Sequence, residues 1–184
     1  MSNPDPPPML PISKRITLSA ITWNDKPAYL KHLNETEEFH RHMTRMPFPY
    51  RQEDADQWLT LAVGETLEKD RSRSWAIRKQ DGELIGGVSV FDMTVGEKAE
   101  IGYWLAQPYW GQGIATEMVI GLSRFAFQQY ELQRIYAQVF SINPASARVL
   151  EKAGFQKEGT LRRHVFRDGQ TYDMWVYGLL RSKH

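Results

Sequence analysis

Apolar positions along the chain change period several times, and each change marks an element. Arg15-Ile-Thr-Leu-Ser-Ala20 alternates and carries β-branched residues, which predicts a first strand. Helical spacing follows over 25–33, where Thr22 or Asn24 can cap and Pro27 is tolerated in the first turn. A short helix over 35–43 comes next, and Met46-Pro-Phe-Pro-Tyr50 breaks the pattern. A longer helix is predicted over 52–69, with Ala55, Trp58, Leu59, Ala62 and Leu67 on one side. Three strands are then expected, over 74–78, 84–91 and 98–106. Asp81-Gly82 is a hairpin turn between the first two, and Gly86-Gly87 signals a bulge or a close backbone contact. Ala115, Met118, Val119, Leu122, Phe125 and Ala126 give a helix over 115–130. A strand over 134–140, a helix from Asn143 to Ala153 stopped by Gly154, and a hairpin (156–166 and 171–179) about Asp168-Gly169 complete the chain. These elements predict one α+β domain, a mixed and mostly antiparallel sheet flanked by helices, with no internal repeat.

Composition narrows this picture. Pro4, Pro6, Pro7, Pro8 and Pro11 set 1–12 apart as a flexible Pro-rich tail, leaving 13–184 as the domain, a length that supports a real core. The net charge is +1, from 23 basic and 22 acidic residues, which argues against nucleic-acid binding by bulk charge. With no cysteine there is no disulfide, thiolate metal site or cysteine nucleophile. No apolar run approaches the ~20 residues of a membrane span, and the N-terminus lacks a signal-peptide pattern. The expected location is the cytoplasm, with no membrane partner.

The chemistry gathers where the strand over 98–106 gives way to the long helix, at Pro108-Tyr-Trp-Gly-Gln-Gly-Ile-Ala-Thr-Glu117. Gly111 and Gly113 permit positive φ and close approach of a ligand. The first helical N–H groups lack partners and carry the positive end of the macrodipole, so the turn suits phosphate. A tight turn with no ligand has the same glycines. The dinucleotide fingerprint fails because Thr116 stands at its third glycine, and no Gly-Lys-Ser/Thr triplet of a nucleotide-triphosphate loop occurs.

The run from Ala99 to Glu117 resembles the coenzyme A motif of the GNAT N-acetyltransferases. Asn143-Pro-Ala-Ser-Ala-Arg-Val-Leu-Glu-Lys-Ala-Gly-Phe155 resembles the family's second signature, and the element order matches over nearly the whole chain except the tail. The RimJ/RimL type, which acetylates protein N-termini, is the nearest branch. Trp110 stands where the family's loop usually starts with Arg or Gln. The resemblance implies a GNAT-like fold, acetyl-CoA as cosubstrate without a metal, and direct transfer to a primary amine, that of a protein N-terminus. A small amine (polyamine, amino sugar or amino acid) is the first alternative, and a non-catalytic acyl-CoA-binding domain the second. Monomer and homodimer both remain open. It makes Gly111, Gln112, Gly113, Ile114, Ala115 and Thr116 the pyrophosphate cradle. Backbone groups of Tyr103 and Leu105 would meet the pantetheine arm and thioester, provided their strand parts from 136–140. Asn143 would hold the cofactor arm, cap its helix, or do both.

Attack needs a neutral amine and hence a base. Glu100 is the candidate, acting through a water. It is an acid in an apolar strand, where desolvation raises a carboxyl pKa. Strict alternation puts it opposite Tyr103 and Leu105, so an outward-facing residue is the competing reading. Ser146 matches the family serine near the sulfur and is the candidate acid for the leaving thiolate, weighed against a solvated helix serine. Tyr103 and Tyr109 are weaker alternatives. His32, His40 and His42 have no supporting acid cluster and no metal is expected. Arg162-Arg163-His164 and Arg167 make a basic cluster, either a solvated hairpin or a contact for an acidic acceptor or the cofactor's 3′-phosphate. Asp173 could meet the acceptor's ammonium.

Overall fold

The computed structural model describes residues 6–64 and 71–182. Its strands are β1 (Leu10–Pro11), β2 (Ile16–Ser19), β3 (Arg73–Lys79), β4 (Leu84–Thr94), β5 (Lys98–Leu105), β6 (Arg134–Phe140), β7 (Gln156–Arg167) and β8 (Gln170–Leu180). They form one sheet in the order β1-β2-β3-β4-β5-β6-β8-β7. Its helices are α1 (Lys26–His32), α2 (Glu38–His42), α3 (Gln52–Val63), α4 (Ile114–Gln129) and α5 (Pro144–Lys152). This is the predicted α+β architecture, a mixed and mostly antiparallel sheet flanked by helices. None of the described helices is long and apolar enough to cross a membrane.

Alternation along the central strands builds two cores. Trp75, Ile77, Ile85, Ile101 and Leu105 pack with Met118, Val119 and Leu122 of α4 and with Ala147 and Leu150 of α5. Ala76, Leu84, Trp104 and Ala106 pack on the opposite face with Tyr29, Leu33, Phe39 and Leu59 of α1–α3. Gly87 is required here: a Cβ on it would stand 2.6 Å from Trp104 Nε1, the close contact expected of Gly86-Gly87.

Every neighbouring pair of strands is antiparallel except β5 and β6. That parallel pair holds for only Lys98↔Arg134, Ala99↔Ile135 and Glu100↔Tyr136. Beyond it β5 stays with β4 through Leu105, and β6 stays with β8 through Phe140. The sheet therefore forks at Glu100 and Tyr136, the parting that exposure of Tyr103 and Leu105 demands.

Three boundaries differ from expectation. β4 runs on to Thr94, past a bulge between Phe91 and Thr94 in which Asp92 has φ 47°. The bulge breaks the alternation that would have shown the strand's end. α3 ends at Val63, and the expected continuation over 65–69 lies outside the described residues. Of the Pro-rich start, residues 1–5 are likewise outside, while Leu10–Pro11 pairs with β2. Trp75 Nε1 donates to the Pro8 carbonyl (3.0 Å), and Ile12 lies against Gly121 of α4, where a Cβ would come within 2.7 Å of it.

Candidate active site

The fork turns backbone groups of β5 toward an open gap. The Ala106 N–H bonds to the Ile85 carbonyl (2.8 Å), so the pair Leu105–Gly86 is of the non-hydrogen-bonded kind. The N–H and C=O of Leu105 thus point away from β4, and those of Tyr103, two residues earlier, do the same. Both face the gap that β6 has left. The Leu105 carbonyl is taken by the indole Nε1 of Trp110. Trp110, the departure noted in the sequence, thus gives its polar atom to this strand end, and its ring meets Phe39 edge-on at 5.7 Å.

Each face of the fork carries a different chemistry. On the α4–α5 face the Tyr103 hydroxyl lies 3.0 Å from Ser146 Oγ, a pair in which either oxygen can donate. Burial pushes the Tyr103 phenol up to about 12, with the Ser146 contact pulling slightly back, so it keeps its proton at neutral pH. Ser146 is held from below, its N–H donating to Asn143 Oδ1 (3.0 Å). Asn143 therefore caps α5, and its Nδ2 has no hydrogen-bond partner among the described residues.

The opposite face carries Glu100, half-buried at the point where the strands separate. Burial raises its pKa above the ordinary carboxylate range; the Tyr136 hydroxyl and the Gln138 N–H oppose that shift, and nearby Asp92 adds to it. Gln138 lies just past the last parallel pair, so the carboxylate sits at the crotch of the fork. Tyr136 donates to Asp92 Oδ2 (2.9 Å), and burial between the two acids raises its own pKa. No register shift intervenes between Glu100 and Tyr103, so the two do face opposite ways.

At the open end, Gly111 (φ 73°) and Gly113 (φ 78°) both occupy the left-handed region. Gly113 is the N-cap of α4 without a side-chain cap, and the first helical bond is Glu117 N–H to Gly113 C=O (3.1 Å). The N–H groups of Ile114, Ala115 and Thr116 are left at the positive end of a 16-residue helix. Sequence reasoning missed Arg15, which lies beside this loop. Its Nη1 donates to the Gln112 carbonyl (3.0 Å), and Nη2 and Nε reach the Glu117 carboxylate (2.5 and 3.4 Å). No local pattern marks a residue 97 positions before its partner.

Other candidates lie elsewhere. The Tyr109 hydroxyl donates to Glu83 Oε2 (3.1 Å), whereas the Tyr103 hydroxyl meets Ser146. His32 is buried between the Leu84 carbonyl and Glu35, while His40 meets the Met46 carbonyl and Asp168. Among the described residues no group of three His, Cys, Asp or Glu is placed to hold a metal ion. Arg167 is consumed by the carbonyls of Met43 and Arg41. Arg162-Arg163-His164 instead loop out of β7, which carries extra residues between Leu161 and Val165 opposite Met174 to Tyr172. Arg163 (φ 50°) gives its N–H to Asp173 Oδ1 (2.7 Å), so Asp173 is committed to shaping this bulge. A cleft of about 520 Å³ is lined by Arg162, Arg163 and Asp173, and the Asp173 carbonyl accepts from Ser141, two residues before the Asn143 cap.

Residues 15–156 match the model of the acetyltransferase (GNAT) domain. The chain is 36% identical over 149 residues to YokL, an uncharacterized N-acetyltransferase of prophage SPbeta in Bacillus subtilis (strain 168), covering 80% of this chain and 81% of that one. It is 32% identical over 111 residues to the ribosomal-protein-serine acetyltransferase of Escherichia coli (strain K12), covering 60% and 62%. The fold superposes on RimL, a ribosomal L7/L12 α-N-protein acetyltransferase solved in complex with coenzyme A, with a TM-score of 0.84 at 20% identity, over 94% of this chain and 98% of that one.

Proposed function

The chain belongs to the GNAT acetyltransferase family, and from that premise we propose that it moves an acetyl group from acetyl-CoA to the amine of a protein N-terminus, by direct attack in a ternary complex. The observation that carries this reading is the fork at Glu100 and Tyr136, with a carboxylate on one face and a hydroxyl pair on the other. The loop from Gly111 to Thr116 would take the diphosphate through backbone N–H groups. Tyr103 and the Leu105 N–H would meet the pantetheine arm and thioester in the gap, and Asn143 would add its Nδ2. A backbone N–H on the thioester oxygen would stabilise the negative charge that develops there.

The protons balance through the two faces. The acceptor ammonium gives a proton to Glu100 through a water, and the free amine attacks the acetyl carbon. A C–N bond forms, the C–S bond breaks, and nitrogen sheds its second proton. The thiolate takes a proton from the Ser146–Tyr103 pair, which is refilled from solvent, so one proton is released per turnover. A protein acceptor is supported by the E. coli relative's own activity on ribosomal protein. Thiol release from acetyl-CoA, measured with peptides and with a polyamine, an amino sugar and amino acids, tests the reading. Turnover with peptides is expected. Turnover only with small amines would replace the acceptor, and coenzyme A binding without turnover would make this a binding domain.

A further inference from the structure

Arg15 touches the glycine loop in a way that the loop's own sequence does not explain. Its guanidinium reaches the Gln112 carbonyl at 3.0 Å and lies 3.8 Å from where a Gly113 side chain would begin. A trans peptide points its C=O and N–H in opposite directions. Fixing the Gln112 carbonyl on Arg15 therefore aims the Gly113 N–H away from Arg15. Both loop glycines have positive φ, and glycine lets such a peptide turn over with little steric penalty. Without an anchor, the carbonyl could swing to where the N–H belongs and present negative charge to a phosphate.

Glu117 gives Arg15 a second task. A carboxylate in the first turn suits the helix dipole but opposes an anionic ligand bound at the same N-terminus. Arg15 holds it on both oxygens, and this pairing keeps the Glu117 pKa below the usual range, so the acid is ionised and neutralised together. The two partners are exposed at 44% and 39%, where an ion pair adds little to folding stability. Its role is thus sought in the ligand.

We propose that Arg15 is a positioning residue of the diphosphate cradle: it locks the Gln112–Gly113 peptide with its N–H toward the ligand and cancels the charge of Glu117. This rests on the cofactor site described above. Coenzyme A is titrated calorimetrically into full-length protein. Arg15→Ala should raise Kd ~10-fold, the scale of lost charge-assisted contacts, with an almost unchanged melting temperature. The KM for acetyl-CoA should rise in step with Kd, with a smaller change in kcat. Arg15→Ala with Glu117→Gln should recover part of the affinity, which a merely structural role would not allow. A Kd for Arg15→Ala within twofold of wild type, or no recovery in the double variant, overturns the proposal. If Arg15→Ala does not fold, Glu117→Gln alone decides: equal or tighter binding is expected, and a loss beyond threefold overturns it. Failure of the wild type to bind coenzyme A would instead sink the assignment of the cofactor site, and this proposal with it.

Discussion

Glu100 and Tyr103 stand three positions apart on one strand, so one side chain serves each face of the fork. The two proposed proton transfers are thereby kept apart. As the proposed base, Glu100 would work only when ionised, and burial raises its pKa, so activity should fall as pH drops through a value above the ordinary carboxylate range. Glu100→Gln should remove this acid limb and lower the plateau by about 10²-fold in a kcat/KM–pH profile. An unchanged limb would leave Glu100 as a clamp on Gln138 alone. The same shift carries a sign for stability. The folded carboxyl holds its proton more tightly than the unfolded one, so its ionisation costs stability as pH rises between the two pKa values and beyond. Glu100→Gln should therefore melt higher than wild type at pH 7 and not at pH 3. For the acid, Ser146→Ala and Tyr103→Phe should each lower kcat and leave the Kd for acetyl-CoA intact. If the hydroxyls act as one unit, the double variant should be no slower than the worse single one. Alternation in the sequence was enough to set Glu100 against Tyr103. It could not reveal Tyr136 and Asp92, because their bond spans 44 positions and depends on a bulge.

Strand, loop and helix together make the proposed cradle, and its turn was legible in the local sequence. Two glycines between an apolar run and a helical period announced the turn, and the helix begins one residue before its predicted start. Gly113→Asp would place a side chain at φ 78° and a carboxylate beside the ligand's phosphates. Calorimetry should show coenzyme A affinity falling at least ~10-fold, against a circular dichroism spectrum like that of wild type. The β7–β8 hairpin was less legible. Arg162, Arg163, His164 and Arg167 look alike in sequence, yet the bulge sends the first three outward while Arg167 binds the carbonyls of the α2 end. Because the bulge adjoins the fork through Asp173 and Ser141, Arg162→Gln with Arg163→Gln should raise KM about threefold or more for acidic peptide acceptors and spare basic ones. Equal KM values for both peptide classes would return the bulge to solvent.

The order of strands is built by hairpins and by connections through α1–α3, α4 and α5, and the hairpins at Asp81-Gly82 and Asp168-Gly169 were legible in the sequence. Pairing of β6 with β8, with β7 outermost, was not readable, since no local signal says which arm of the last hairpin turns inward. A ligand spanning both halves of the sheet should stabilise the whole molecule. Coenzyme A at a hundred times its Kd should add ~2.7 kcal/mol, or roughly 5–10 °C in melting temperature for a domain of this size. A shift under 1 °C would mean that the fork does not bind it. The fork has one more consequence. An open sheet ordinarily ends at two edges, but the parting of β5 and β6 creates two others in its interior. Exposed strand edges invite pairing with foreign chains, and proteins guard them. Trp110 guards the Leu105 carbonyl, but among the described residues no side chain covers the Tyr103 backbone in this way. On the proposed cofactor site, cosubstrate and guard would be the same molecule. Aggregation on mild heating should therefore follow how fully the gap is filled, even among variants that melt at one temperature.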